Sequence, residues 1–333
     1  MKLPTLDLHI THPKFTLPYF SRLAHFRNIN KFSFTGASSS ATPMMEKMLS
    51  RVLSNNRGLT DLVLYLLDRP SQNMPGIEMR GIDRIFPKRS ITNLSLRHLA
   101  FKECNIVAAP HIFRHLRHLQ TLQIFDYEIY NRSAEFWIEL TRQKIYVPCI
   151  QIKRAGLPSA LIDYLVSNQG MLELSLEIQA TVGITKRVLS EVVPCHSRTL
   201  EVLHLSSAWT AYWVIDHCDE YIPGVSQCSK LRVLGMTVSY KGFLEPLLHL
   251  LKFLPRLQTL RLAALYGYYY TTMECIDSIR ADEPVLMALH IIVIDTSRPR
   301  NAKLAAGASE WDVDDVKPDV LLDIPWECGI NVL

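Results

Sequence analysis

The chain has no run of about eighteen apolar residues, no C-x-x-C pair, and none of the phrases G-x-S-x-G, G-x-x-x-x-G-K-[ST], H-E-x-x-H or G-x-G-x-x-G. Each absence removes a class of function. Without the apolar run, and with Asp7 and His9 interrupting the N-terminal stretch, neither membrane insertion nor a secretory leader is expected. Asn93 and Asn131 match the glycosylation acceptor pattern and, lacking a leader, read as chance matches. Seven cysteines, odd in number and scattered, read as reduced thiols of an intracellular protein of the cytoplasm or nucleus. The missing catalytic phrases argue against an enzyme and leave no residues to assign to a cofactor or metal. Charge is scarce as well: 36 Lys+Arg against 32 Asp+Glu leave +4, too little to point to nucleic acid or an anionic membrane as partner.

What remains is leucine. The stretch Leu257, Leu260, Leu262 has L-x-x-L-x-L spacing, and the spacing recurs at Leu200/Leu203/Leu205, Leu231/Leu234/Met236, Ile91/Leu94/Leu96 and Leu119/Leu122/Ile124. Weaker copies are Leu3/Leu6/Leu8, Ile29/Phe32/Phe34, Leu59/Leu62/Leu64, Val147/Ile150/Ile152, Met171/Leu174/Leu176 and Leu286/Leu289/Ile291. Their first positions lie 24 to 32 residues apart, a period that suits one strand and one helix per unit. With 333 residues, 48% of them hydrophobic, the chain is too long for one compact core and apolar enough for an elongated one. The expectation is therefore an α/β leucine-rich-repeat solenoid, a horseshoe of about eleven irregular repeats over residues 1–295 with a curved parallel sheet and outer helices.

Helical apolar spacing places the helices at Leu17–Phe26, Thr42–Asn55, Ala109–Leu116, Ala134–Gln143, Ser159–Ser167, Lys186–Val193, Phe243–Phe253 and Met273–Arg280. Pro43 and Pro158 stand near helix starts, and Pro255 follows a helix it could not continue. A doubly wound enzyme fold would also alternate strands and helices, but its strands, covered on both faces, read as unbroken apolar runs. Here the residues between the leucines are often polar: Thr259 and Arg261, Thr121 and Gln123, Glu173 and Ser175. One face of the sheet should look toward solvent.

Residues 296–319, with Pro299, Gly307, Pro318 and the acidic Glu310, Asp312, Asp314 and Asp315, read as an irregular loop. Val320–Ile324 and Trp326 then suggest that 320–333 closes the end of the array. The N-terminus starts directly in a repeat at Leu3, so an upstream domain, a partner or a shortened gene is expected to account for the missing cap.

On these phrases, such as Arg198-Thr-Leu-Glu-Val-Leu-His-Leu205, the chain resembles the leucine-rich-repeat regions of fungal F-box-type proteins over nearly its whole length. The resemblance implies a substrate-receiving repeat array, preceded in such proteins by an F-box that docks a Skp-type adaptor of a ubiquitin ligase. Nothing at Met1–Pro18 resembles the L-P-x-E-L opening of an F-box, so the adaptor contact is carried over to no residue here. The wider class commonly places Asn or Cys at the ninth position of the phrase, whereas these repeats have Leu99, Tyr127, Ala208, Ser239 and Leu265.

If the three leucines point inward, the third, fifth and seventh positions face outward by two-residue alternation. That row holds Tyr65, Arg97, Phe125 and Lys153 at the seventh place, and Gln123, His204 and Arg261 at the fifth. Aromatic residues and Arg are the usual anchors of protein interfaces. A second aromatic set, Trp209, Tyr212, Trp213, Tyr240, Tyr266, Tyr268, Tyr269 and Tyr270, lies just beyond the strands, where it forms either a binding rim or packing over the core ends.

Other clusters read as structural. His111 and His115 share a helix face, with His118 and His98 nearby, but Arg114 and Arg117 beside them argue for a solvated basic helix rather than a metal site. The basic stretch Arg80, Arg84, Lys88, Arg89, Arg97 and Lys102 reads first as a solvated face, and otherwise as a surface for an acidic partner or for the chain's own acidic loop near Asp312–Asp315. Cys195-His196 and His217-Cys218 set thiol beside imidazole, yet neighbours in sequence point apart. The expected function is thus non-enzymatic recognition of a protein partner. The alternatives are an α/β enzyme with a nucleophile such as Cys218, or a truncated product without activity.

Overall fold

The structure, a computed structural model, describes residues 5–10, 25–37, 42–67, 82–88, 93–102, 106, 108–125, 134–153, 157–168, 170–178, 181–207, 213–214, 219–238, 242–264, 272, 274–277, 286 and 288–295. Eleven strands form one sheet: β1 (Thr5–Ile10), β2 (Lys31–Ala37), β3 (Asp61–Leu67), β4 (His98–Lys102), β5 (Thr121–Phe125), β6 (Cys149–Lys153), β7 (Glu173–Glu177), β8 (Val202–Ser206), β9 (Val233–Val238), β10 (Thr259–Ala264) and β11 (His290–Asp295). Every pairing is parallel and the order in space is the order in sequence. This order settles the architecture. Parallel crossovers are right-handed, so a sheet that always grows toward the same side carries all its crossover segments on one face, whereas a doubly wound sheet reverses direction.

The leucines supply the core of that face. Leu62 and Leu64, Leu122 and Ile124, Leu174 and Leu176, Leu203 and Leu205, and Leu260 and Leu262 are all buried, while the residue between each pair on β3, β5 and β10 is only partly buried. Helix α1 (Thr42–Asn55) packs Met45, Met48, Leu49 and Val52 into the same core. It is followed by α2 (Pro110–Phe113), α3 (Ala134–Arg142), α4 (Ser159–Ser167), α5 (Val182–Arg187), α6 (Val193–His196), α7 (Tyr221–Val225) and α8 (Leu244–Leu251). The fold is an α/β leucine-rich-repeat solenoid.

Two of the expected phrases sit in another register. Leu99 pairs with Leu62 and Leu122, and Phe101 with Leu64 and Ile124, so the fourth copy is Leu96/Leu99/Phe101 instead of Ile91/Leu94/Leu96. The two phrases overlap, and apolar spacing alone fits both. The corrected one puts Cys104 at the ninth place. At the other end Ile291 pairs with Leu260 and Val293 with Leu262, a shift of two residues from Leu289/Ile291. A two-residue shift keeps every side chain on its face.

Helix bounds agree closely at α1 and α4. In place of a single helix at Lys186–Val193 the chain runs through α5, a π-helical turn at Val188–Val192 and α6. Pro194 explains the widening, since it has no N–H to donate and its ring crowds the carbonyl four residues before it. The sequence reading missed α7, a five-residue helix that contains Pro223 and Gly224. Gly224 is required there: a Cβ at this position would lie 2.3 Å from the Leu189 carbonyl oxygen in the widened turn. Expected helical residues 17–24, 273 and 278–280, together with the segments 296–319 and 320–333, lie outside the described residues.

Two polar ladders tie the coils together. At the second place of successive phrases a carbonyl accepts from two N–H groups of the next coil: Asn30 from Thr60 and Asp61, Arg97 from Gln120 and Thr121, Leu172 from Glu201 and Val202, and Arg232 from Gln258 and Thr259. On the helical side, polar side chains near helix ends bond the previous coil where it turns toward its strand. Asn56 accepts from Ile29 N–H at 2.9 Å and donates to the Val52 and Phe26 carbonyls. Tyr164 and Asn168 both reach Val147, and Thr199 donates to the Met171 carbonyl at 2.8 Å. These groups fix the turn that leads into each strand.

Candidate functional site

The register aligns the outward places into rows. Across β5 to β10 the fifth place reads Gln123, Gln151, Ser175, His204, Gly235 and Arg261. The seventh-place row from β3 reads Tyr65, Lys102, Phe125, Lys153, Glu177 and Ser206. Arg97, expected in that row, is displaced from it by the corrected register. It stands at the second place, exposed, in the turn before β4, and Lys102 takes the position between Tyr65 and Phe125.

The middle of the sheet carries a linked polar array. Gln123 Nε2 donates to Gln151 Oε1 at 3.0 Å, and Gln151 Nε2 donates to Glu173 Oε1 at 2.5 Å. Burial raises the Glu173 carboxyl above its ordinary range, opposed by the Gln151 hydrogen bond and the charge of Arg261. One row over, the Lys153 ammonium lies 3.6 Å from Glu177 and 5.7 Å from the centre of the Phe125 ring, with only 10% of its side chain exposed. A lysine this enclosed holds its position far better than a solvated one. Cys149, below Gln151, has its thiol pushed up to about 12 by burial first and Glu173 second, so it is not a nucleophile at neutral pH.

Beyond this array stands His204. Its ring lies over the next strand, in the space left by Gly235: a Cβ on that glycine would be 2.4 Å from His204 Cδ2 and 2.7 Å from Cγ. Burial, then the charges of Lys153 and Arg261, pull the imidazole down to about 3, so it is neutral. Arg261 Nε is buried without a hydrogen-bond partner, and no ion pair forms at Arg261 among the described residues. The prediction for Gly235→Ala is a displaced His204 ring and a loss of about 1–3 kcal/mol, the usual result of overpacking. Urea unfolding and the His204 ring resonances would check it, and an unmoved ring would contradict the placement.

Of the aromatic set, Trp213 is fully buried and donates from Nε1 to the Ile178 carbonyl at 3.4 Å, while Val214 bridges to Thr237. Trp213 therefore packs over the ends of the strands. Trp209, Tyr212, Tyr240, Tyr266 and Tyr268–Tyr270 lie outside the described residues, as do His217 and Cys218.

The expected solvated basic helix is not what forms: α2 ends at Phe113, His115 follows it fully buried, and the two histidines are engaged separately by backbone. His111 Nε2 sits 2.9 Å from the Asp83 carbonyl, and His115 Nδ1 accepts from Leu94 N–H at 2.9 Å. The proton of neutral His115 is therefore on Nε2, and the 3.3 Å approach of Arg114 Nε to it brings two donors together. Burial first, and Arg114 second, lower His115 to about 4 from 6.5, while the Pro87 carbonyl acts the other way. An unfolded chain binds this proton more readily, so His115 contributes stability that is complete above about 6.5 and lost as pH falls toward 4. Burial shifts His196 and His204 in the same direction. The urea midpoint should drop between pH 7 and pH 5, and His115→Gln, which keeps an acceptor for Leu94, should flatten that drop. Equal slopes would assign the effect elsewhere. Arg114 Nη2 donates to the Pro87 carbonyl, and in the basic stretch Arg84 lies 3.8 Å from Glu46. Cys195 is exposed while its neighbour His196 is buried against the Leu165 carbonyl, so that pair points apart.

Among the described residues no helix is long and apolar enough to cross a membrane. No family model matches the chain, and no curated protein matches it. Among solved structures, an internalin from Listeria monocytogenes is similar over 80% of this chain and 80% of its own, at 12% sequence identity and a TM-score of 0.32.

Proposed function

We propose that this chain is a recognition module that receives a segment of a protein partner across the outward rows of β3 to β10. The observation that carries the reading is the character of that face. Phe125 and Tyr65 stand half-buried in line with the enclosed Lys153, and the polar array beside them is held in place by its own hydrogen bonds. Aromatic and cationic groups already fixed in position lose little freedom on binding, which is what an interface anchor requires. The resemblance to F-box-type repeat regions supports a finer version, a substrate receptor of a ubiquitin ligase, with the Skp-type adaptor contacting something other than these repeats.

The test is Tyr65→Ala combined with Phe125→Ala, followed by quantitative affinity capture from lysate. Loss of the same proteins from both single variants and the double variant, with unchanged circular dichroism, is the expected result. An unchanged set of captured proteins would remove this face from consideration.

A further inference from the structure

Resting on that reading, the geometry points to the chemistry of the partner: Lys153, His204 and Arg261 form a seat for a carboxylate side chain of an acidic peptide segment. Three strand positions converge. Lys153 on β6 and Arg261 on β10 flank His204 on β8, each about two strand spacings or roughly 10 Å away along the sheet. Small residues, Ser175 and Gly235, occupy the fifth places on either side of His204, and the charges of Lys153 on β6 and Arg261 on β10 both act on its ring. His204 is 7% exposed and makes no hydrogen bond to a described residue. Arg261 Nε is likewise buried and unpartnered.

Charge at His204 itself is one-sided. The two groups felt most strongly at His204 are both cationic, and no acidic residue acts on it to a comparable degree. Glu177 faces Lys153 at 3.6 Å, and the Glu173 carboxyl, raised above its ordinary range by burial, accepts from Gln151 and feels the charge of Arg261 without forming an ion pair with it among the described residues. A carboxylate entering over His204 would meet the Arg261 guanidinium and the Lys153 ammonium at once and accept from whichever His204 nitrogen carries the proton. Desolvated donors of this kind bind an anion more strongly than solvated ones, because the cost of dehydrating them is already met in the fold.

The experiment uses the full chain and a fluorescein-labelled octaglutamate peptide, with octaserine and an eight-nucleotide thymidine strand as controls, followed by anisotropy at low salt. Octaglutamate binding should weaken at least tenfold in Arg261→Gln and less than twofold in Lys252→Gln, which removes an exposed charge beyond α8. Arg261→Lys, which keeps the charge, should retain part of the affinity and guards against misreading a folding defect. In the parent, the His204 ring resonances should shift on addition of octaglutamate. Equal losses in Arg261→Gln and Lys252→Gln, a ring that does not respond, or tighter binding of the thymidine strand would each overturn the seat. The two readings fail separately: a responsive His204 with an unchanged captured set in the Tyr65 and Phe125 variants rejects protein recognition by the face. A silent His204 with a changed set rejects only the carboxylate seat.

Discussion

Trp137→Ala is expected to destabilise the chain by about 3–5 kcal/mol, as truncation of a fully buried Trp usually does. Trp137 is 1% exposed and stands in a line of rings that crosses three coils. Phe113 of α2 meets Phe136 at 5.6 Å, Phe136 meets Trp137 at 5.4 Å, and Trp137 meets Tyr164 of α4 at 5.3 Å. Each such pair adds about 0.5–1.5 kcal/mol beyond its buried area. In an array where coils touch only their neighbours, a defect in the middle weakens both interfaces of one coil and separates the two halves. Urea unfolding followed by circular dichroism should therefore show an earlier and broader transition. The neighbouring Ile138, 57% exposed, is the comparison: Ile138→Ala should change stability by no more than about 0.5 kcal/mol. A Trp137→Ala loss below about 1 kcal/mol, too small for a cavity of that size, would contradict the packing described.

Asn56→Leu is the second large effect. Asn56 is 1% exposed and its amide makes three hydrogen bonds, one received from Ile29 N–H and two given to the Phe26 and Val52 carbonyls. Leucine has nearly the same shape and none of the bonding, so the buried Ile29 N–H is orphaned. The expected loss is about 2–3 kcal/mol, and amide exchange at Ile29, in the turn before β2, should speed up ahead of β2 itself. Asn56→Asp sharpens the argument. An ionised Asp still accepts from Ile29, but it sets negative charge against two carbonyl oxygens, so it should lose more than Leu at pH 7 and recover as acid protonates it. Protection of Ile29 that survives in Asn56→Leu would show that another group serves this turn.

Most of the architecture was legible in the sequence because one physical requirement, an apolar pair facing the core once per coil, is repeated along the chain. The failures come where that requirement is ambiguous. Ile91 to Phe101 contains two overlapping phrases, and only the pairing of Leu99 with Leu62 and Leu122 decides between them. Arg97 was placed in the outward row by the wrong phrase and left it when the phrase moved. The π-helical turn was hidden because Pro194 signals a break without saying whether the helix stops or widens. The polar ladder of Asn56, His115, Tyr164, Asn168 and Thr199 uses five residues of four types at irregular spacing, so no motif announces it.

The outward rows were partly readable. Alternation identified His204, Arg261, Lys153 and Phe125 as facing away from the leucines. It could not show that Lys153 and His204 are buried, since enclosure depends on neighbouring coils. Gly235 was the overlooked signal. A glycine inside a strand often marks close approach of another group, and here the group is the His204 ring.

Strand order equal to sequence order has a mechanical consequence. No strand is pinned between two others that are remote in sequence, so a pull on the two termini loads the end coils first and can peel them away singly while the interior stays intact. Stretched in this way, the molecule should lengthen in small steps, each releasing a segment of a few tens of residues, and on relaxation each segment has a ready-made template against which to rewind.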